Sequence, residues 1–221
     1  MYPLPLLPAG VDMTADLESQ LDGLKAQVRA AYDSDHYAAV VELLPIYLGH
    51  RPTDSFAWFM YGDSLRLLKR YSDALAALAS AQREAPPQEQ WRISSVLAEL
   101  YKSTGKLDRA EELYQQLVTD RDCENKTWCW ILRGANLLKL ERVAEAESCF
   151  RRAATAEGDV DEAYYNLAVA LLFQQRYDEA LTAVGKAIEL DPGFKKGPEL
   201  RAHIEAAREA SLEWLSWDAG K

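Results

Sequence analysis

A small residue followed twelve positions later by alanine recurs along this chain at intervals of about 34: Gly62 and Ala74, Ala98 and Ala110, Gly134 and Ala146, Ala168 and Ala180. Two helices approach closely only where the side chains at their crossing are nearly absent, so a small pair repeated in this way prescribes tandem helical hairpins. A chain of 221 residues built like this is expected to be one elongated array rather than two separate globular domains.

Counting Gly62 as the eighth residue of a unit that starts at Ser55 places Trp58 fourth, Tyr61 seventh, Leu65 eleventh, Tyr71 seventeenth, Ala74 twentieth, Leu78 twenty-fourth, Ala81 twenty-seventh and Pro86 thirty-second. The fourth, seventh, eighth and eleventh positions share one stripe of a first helix. The twentieth, twenty-fourth and twenty-seventh form the facing stripe of a second, which the proline stops. The unit from Asp161 repeats the pattern with Tyr164, Leu167, Ala168, Leu171, Tyr177, Ala180, Val184, Ala187 and Pro192. Units from Trp91 and Thr127 match at Leu97, Ala98, Tyr101, Gly105, Leu107, Ala110, Tyr114 and Leu117, and at Trp130, Gly134, Leu137, Ala146, Phe150 and Ala153. Asp122 and Gly158 replace their terminal prolines, glycine being an alternative helix stop, and Arg133 is an unusual seventh residue. A divergent first unit from Leu21 has valine, Val28 and Val40, at both close-contact positions, which predicts a wider or differently angled helix pair.

This pattern resembles the tetratricopeptide repeat (TPR) family over Leu21 to Phe194. The resemblance implies an all-α, right-handed α-solenoid of helix-turn-helix units. Residues 1–15 are then an extended Pro/Leu-rich segment, followed by five repeats at 16–54, 55–90, 91–126, 127–160 and 161–194. Residues 195–221 carry a capping helix and tail, with Leu200, Ile204, Ala207 and Ser211 on its packing stripe and Glu199, Arg201, Glu205, Arg208 and Glu209 opposite.

In this family the second, fifth, sixth and ninth residues of each first helix line the inner surface. Carried over, they are Phe56, Phe59, Met60 and Asp63; Arg92, Ser95, Val96 and Glu99; Trp128, Ile131, Leu132 and Ala135; and Glu162, Tyr165, Asn166 and Val169, with Leu172 and Phe173 one turn on. Apolar character here exceeds what packing within a unit needs, so the expected ligand is a peptide or helical segment with spaced hydrophobic anchors. Packing between adjacent units is the competing use of these side chains. Asp63 and Glu99 are expected to receive a basic or amide group of the ligand.

The lysine–asparagine–arginine clamp by which heat-shock co-chaperones of this family grip a C-terminal carboxylate finds no complete frame. The best, Lys25, Arg29, Met60, Arg92 and Val96, is apolar where donors are required. A partial resemblance to the TPR chaperones of type III secretion rests on acidity and an apolar groove. A further expectation is that Tyr2 to Val11, a segment rich in proline and leucine, lies against an apolar surface of the repeats.

The net charge of −10, with 35 acidic against 25 basic residues, disfavours nucleic acid, and no stretch is apolar enough to span a membrane. The start of the chain lacks the basic residues and apolar run of a secretory signal, so the expected location is cytoplasmic. Cys123, Cys129 and Cys149 form neither a CxxC pair nor a zinc pattern and read as reduced, space-filling thiols. His36, His50 and His203 enter no triad, and no phosphate or dinucleotide loop is present. The expectation is a non-enzymatic adaptor or chaperone without cofactor or metal, monomeric or weakly self-associating. The alternative is a non-catalytic positioning subunit of an enzyme complex.

Overall fold

Why the hairpins turn where they do is visible in the backbone. The computed structural model describes residues 13–218, with side chains from 16 to 212; Tyr2 to Val11 lie outside the described residues. Among the described residues, eleven α-helices follow one another: α1 (Met13–Asp33), α2 (Tyr37–His50), α3 (Ser55–Leu67), α4 (Tyr71–Glu84), α5 (Gln90–Ser103), α6 (Leu107–Leu117), α7 (Thr127–Lys139), α8 (Val143–Ala153), α9 (Asp161–Phe173), α10 (Tyr177–Leu190) and α11 (Lys196–Asp218). Among the described residues there is no strand, only an isolated parallel bridge between Lys126 and Glu157. One sequence expectation needs correction: Met13, Thr14 and Ala15 are already helical rather than extended. The connection after α4 holds a short 3-10 helix, Pro87–Glu89.

Each first helix ends in the same device. Asp35, Lys69, Gly105, Glu141 and Gln175 all have positive φ, between 60° and 74°. All five occupy the fifteenth position of their units. The next residue then closes a bond six residues wide, from the N–H of His36 to Ala31 O, Arg70 to Leu65, Lys106 to Tyr101, Arg142 to Leu137 and Arg176 to Leu171, at 2.8–3.0 Å. This left-handed cap satisfies the last carbonyls of the helix and reverses the chain. Only Gly105 adopts the conformation without a steric cost. Three of the second helices then have an arginine at the N-cap, just before their first residue, that reaches three residues forward: Arg70 to Asp73, Arg142 to Glu145 and Arg176 to Glu179, with Nε–O distances of 2.9, 2.6 and 2.8 Å.

The chain divides into two compact units, Met1–Ile93 and Ser94–Lys221. In the first, Leu21, Val28, Val40, Leu44, Tyr47, Leu48, Ala57 and Met60 form one core. Both valines of the divergent repeat are fully buried there. A Cβ on Gly62 would lie 2.6 Å from Leu78 Cγ, so this glycine is needed because Leu78 lies directly upon it. The close partner is thus the twenty-fourth residue, not Ala74 at the twentieth.

In the second unit a Cβ on Gly134 would meet the Phe150 ring at 2.5 Å, repeating the contact with the same positions. Phe150 is fully buried beside Leu137, Ala146, Leu167, Ala168, Leu171, Ala180 and Val184. Leu200 and Ile204 of α11 join this core, while Glu199, Arg201, Glu205, Arg208 and Glu209 are exposed. The terminal helix therefore covers apolar surface of α9 and α10 that a following repeat would otherwise bury.

Candidate functional site

In the first unit the expected inner residues of α3 divide by depth. Phe56 and Phe59 are half-buried and stacked, their ring centroids 5.8 Å apart, and the Arg29 guanidinium lies 5.5 Å from the Phe56 centroid. Met60 is buried in the core instead. Asp63 is buried as well and accepts hydrogen bonds from Tyr32 Oη at 2.6 Å and Arg66 Nε at 2.8 Å. Burial and the neighbouring Asp63 push the Tyr32 hydroxyl well above its usual range, so it stays a donor. Arg92 is exposed and stacks its guanidinium 5.2 Å from the Trp91 ring.

A second carboxylate joins three helices of this unit. Asp54 caps α3 by accepting from the Ala57 N–H at 3.0 Å, and it also accepts from Lys25 Nζ and Tyr47 Oη, both at 2.8 Å. Burial raises its carboxyl, but the bonds from Lys25, Ala57 and Tyr47 outweigh that and hold it below the ordinary value. Lys25, one of the few basic residues in the best clamp frame, is thus already engaged.

The second unit presents the larger apolar stripe. Trp128, Leu132 and Ala135 follow one another along α7 at helical spacing, as do Tyr165, Val169 and Phe173 along α9, and the two helices pack against each other. Phe173 is 69% exposed and Trp128 38%, values far from those of core aromatics. Leu132 and Val169 are half-buried between them in sequence register. Tyr165 sets its ring edge-on to Phe194 at 5.1 Å, and Asn166 donates to Glu162 O at 2.9 Å. Ile131, expected on this face, instead packs with Ala153 and Ala163 at 7% exposure, and Val96 is likewise buried. Both are corrections: as buried side chains they support the surface and do not form it.

Asp63 and Glu99, read as receivers of a ligand's donor, also change role. Glu99 accepts from Lys102 Nζ at 2.5 Å and from the Tyr114 hydroxyl. Each carboxylate is held by donors of its own unit, because a carboxylate withdrawn from water without partners would cost several kcal/mol.

Two interhelical links lay hidden in the sequence. Arg133, the unusual seventh residue, reaches Glu111 of α6 at 2.9 Å, and Asn136 donates to Leu107 O at 3.1 Å. Thirty-six residues on, Glu147 of α8 accepts from Arg176 at 2.7 Å and from Gln174 and Arg151, both at 2.8 Å. Glu111 and Glu147 share the twenty-first position, so the recurrence of an acid there was the available signal. Burial raises the Glu147 carboxyl, but Gln174, Arg151 and Arg176 together hold it below its usual value.

Models of the tetratricopeptide repeat match residues 25–89, 94–127 and 161–194. No curated protein matches the chain significantly. Among solved structures, the C-terminal part of a TPR repeat-containing protein from Cytophaga hutchinsonii superposes with a TM-score of 0.71 at 16% identity, over 84% of this chain and 72% of that one. A thermophilic TPR protein from Thermus thermophilus gives 0.62 at 22% identity, over 85% and 98%. YrrB, described as a TPR protein with an unusual peptide-binding site, gives 0.64 at 18% identity, over 90% and 100%. At these identities the likeness establishes the fold. Among the described residues, no helix is long and apolar enough to cross a membrane.

Proposed function

The chain belongs to the tetratricopeptide repeat family, whose fold serves protein–protein interaction, and we propose that it is a non-catalytic adaptor or chaperone in the cytoplasm that holds a peptide or helical segment by hydrophobic anchors. The seat of binding is the stripe of α7 and α9, with Trp128, Leu132, Val169 and Phe173 as apolar contacts and Tyr165 and Asn166 supplying polar groups beside them. The exposure of Phe173, at 69%, carries this reading: a large aromatic ring in water on the side of the hairpin not used for packing within the repeat favours a partner. Phe56, Phe59 and Arg92 offer a smaller aromatic and cationic surface in the first unit.

Fully burying each such side chain contributes about 1.5–3 kcal/mol, and association costs several kcal/mol, so three or four anchors support weak binding, of roughly millimolar to at best about micromolar strength. A random peptide library displayed on phage and selected on the immobilised full chain tests the proposal. Peptides with apolar residues at regular spacing are expected to be enriched on the native chain and lost on the Leu132→Glu, Phe173→Glu double variant. Identical enrichment on both, with unchanged melting, would remove the stripe as the binding surface.

A further inference from the structure

Half a helical turn away from Tyr165, Val169 and Phe173, the other side of α9 borders a cleft of about 180 Å³ that α8 and α10 complete. Its floor is apolar, made of the buried side chains of Leu167, Leu171 and Ala183. Tyr164 adds an aromatic wall, with Lys186 Nζ 5.2 Å from the centre of its ring.

Three charged side chains line the cleft, and two of them, Arg151 and Lys186, are basic. The acid, Glu179, is engaged by Arg176 through Nε at 2.8 Å and Nη2 at 2.6 Å. Arg151 meets Glu147 through Nε and Nη2, both at 2.8 Å, and Glu179 through Nη2 at 3.5 Å. Among the described residues its Nη1 group has no partner, and Lys186 forms no ion pair. Thr182 donates its hydroxyl to Asp178 O at 2.9 Å, so the charged donors that remain are those of Arg151 and Lys186. The lining thus holds one more positive than negative charge, in a chain of net charge −10. One carboxylate restores the balance, and an apolar cavity of about 150 Å³ suffices to hold benzene.

We propose that this cleft is a site for a small aromatic monocarboxylate, with its ring on Leu167, Leu171 and Ala183 beside Tyr164 and its acid group held by Lys186 and Nη1 of Arg151. An ion pair open to water contributes little by itself, so burial of the ring and capture of the charge act together. The volume takes one six-membered ring with its acid group and little more, which favours a free acid over the end of a protein chain. This site lies across α9 from the stripe assigned to a peptide and does not depend on it.

Phenylacetate titrated into the isotope-labelled full chain, followed through backbone amide NMR shifts, tests the assignment. Binding on the order of millimolar strength is expected, with shifts at Thr182, Ala183 and Lys186 and none along Trp128, Leu132 and Ala135. Phenylacetamide, which keeps the ring and lacks the charge, should bind roughly tenfold more weakly. Lys186→Gln, at an exposed position, should weaken phenylacetate by a similar factor with unchanged melting. Equal binding of the amide, an unaltered dissociation constant in Lys186→Gln, or shifts confined to the α7 stripe would overturn the proposal. So would a peptide ending in phenylalanine that shifts the cleft residues when phenylacetate does not, because the occupant would then be a protein terminus.

Discussion

Lys69, Glu141 and Gln175 turn the chain in the left-handed region without being glycine, with φ of 60–61°, and Gly105 shows the economical form of the same turn. A side chain there costs about 1 kcal/mol against the neighbouring carbonyl. Replacing Glu141 with glycine is therefore expected to stabilise the chain by about 0.5–1 kcal/mol, somewhat reduced by the greater freedom glycine gives the unfolded state. Gly105→Ala should lose a similar amount. Urea denaturation midpoints measure both; a destabilised Glu141→Gly would show that its side chain contributes more than its backbone strain costs. Composition alone did not reveal these positions, since an aspartate, a lysine, a glutamate and a glutamine share a conformation that only the following hydrogen bond makes evident.

Between elements, the links that matter combine shape with charge. Gly62 beneath Leu78 and Gly134 beneath Phe150 set the spacing within hairpins, and the small residues at these places were readable from the 34-residue interval. Arg133 could not be interpreted from its own helix, because its partner Glu111 belongs to the preceding one. The pair is largely buried, with 17% and 8% of the two side chains exposed. Removing one member leaves the other charge stranded, so Arg133→Leu is expected to cost about 3 kcal/mol. The double change Arg133→Leu, Glu111→Leu should recover most of that loss. Thermal or urea unfolding of the single and double variants provides the check; equal losses in both would mean that packing, not charge pairing, determines the contact.

Across the whole molecule, acidity shapes both solubility and stability, with 35 acidic residues against 25 basic. The carboxyls of Asp54 and Glu147 are lowered relative to their ordinary values, which lie at about 4 in the unfolded chain. The unfolded state therefore takes up protons first as pH falls. Their contribution to stability is complete above that ordinary range and disappears as pH drops through the lowered values. Urea midpoints should fall between about pH 5 and pH 3, and Glu147→Gln should weaken the dependence; an unchanged slope would remove Glu147 as a contributor. The repeat interval, the helix stops and the apolar stripes were legible in the chain because they depend on spacing within one hairpin, where a residue's neighbours are set by helical geometry. The residues expected on the inner face were legible only as a stripe: that Met60, Val96 and Ile131 sink into the protein while Phe173 stays largely exposed, and that Asp63 and Glu99 are already engaged, depend on contacts between elements. Such contacts arise when helices and connections pack together in three dimensions, and no periodicity along the sequence encodes them.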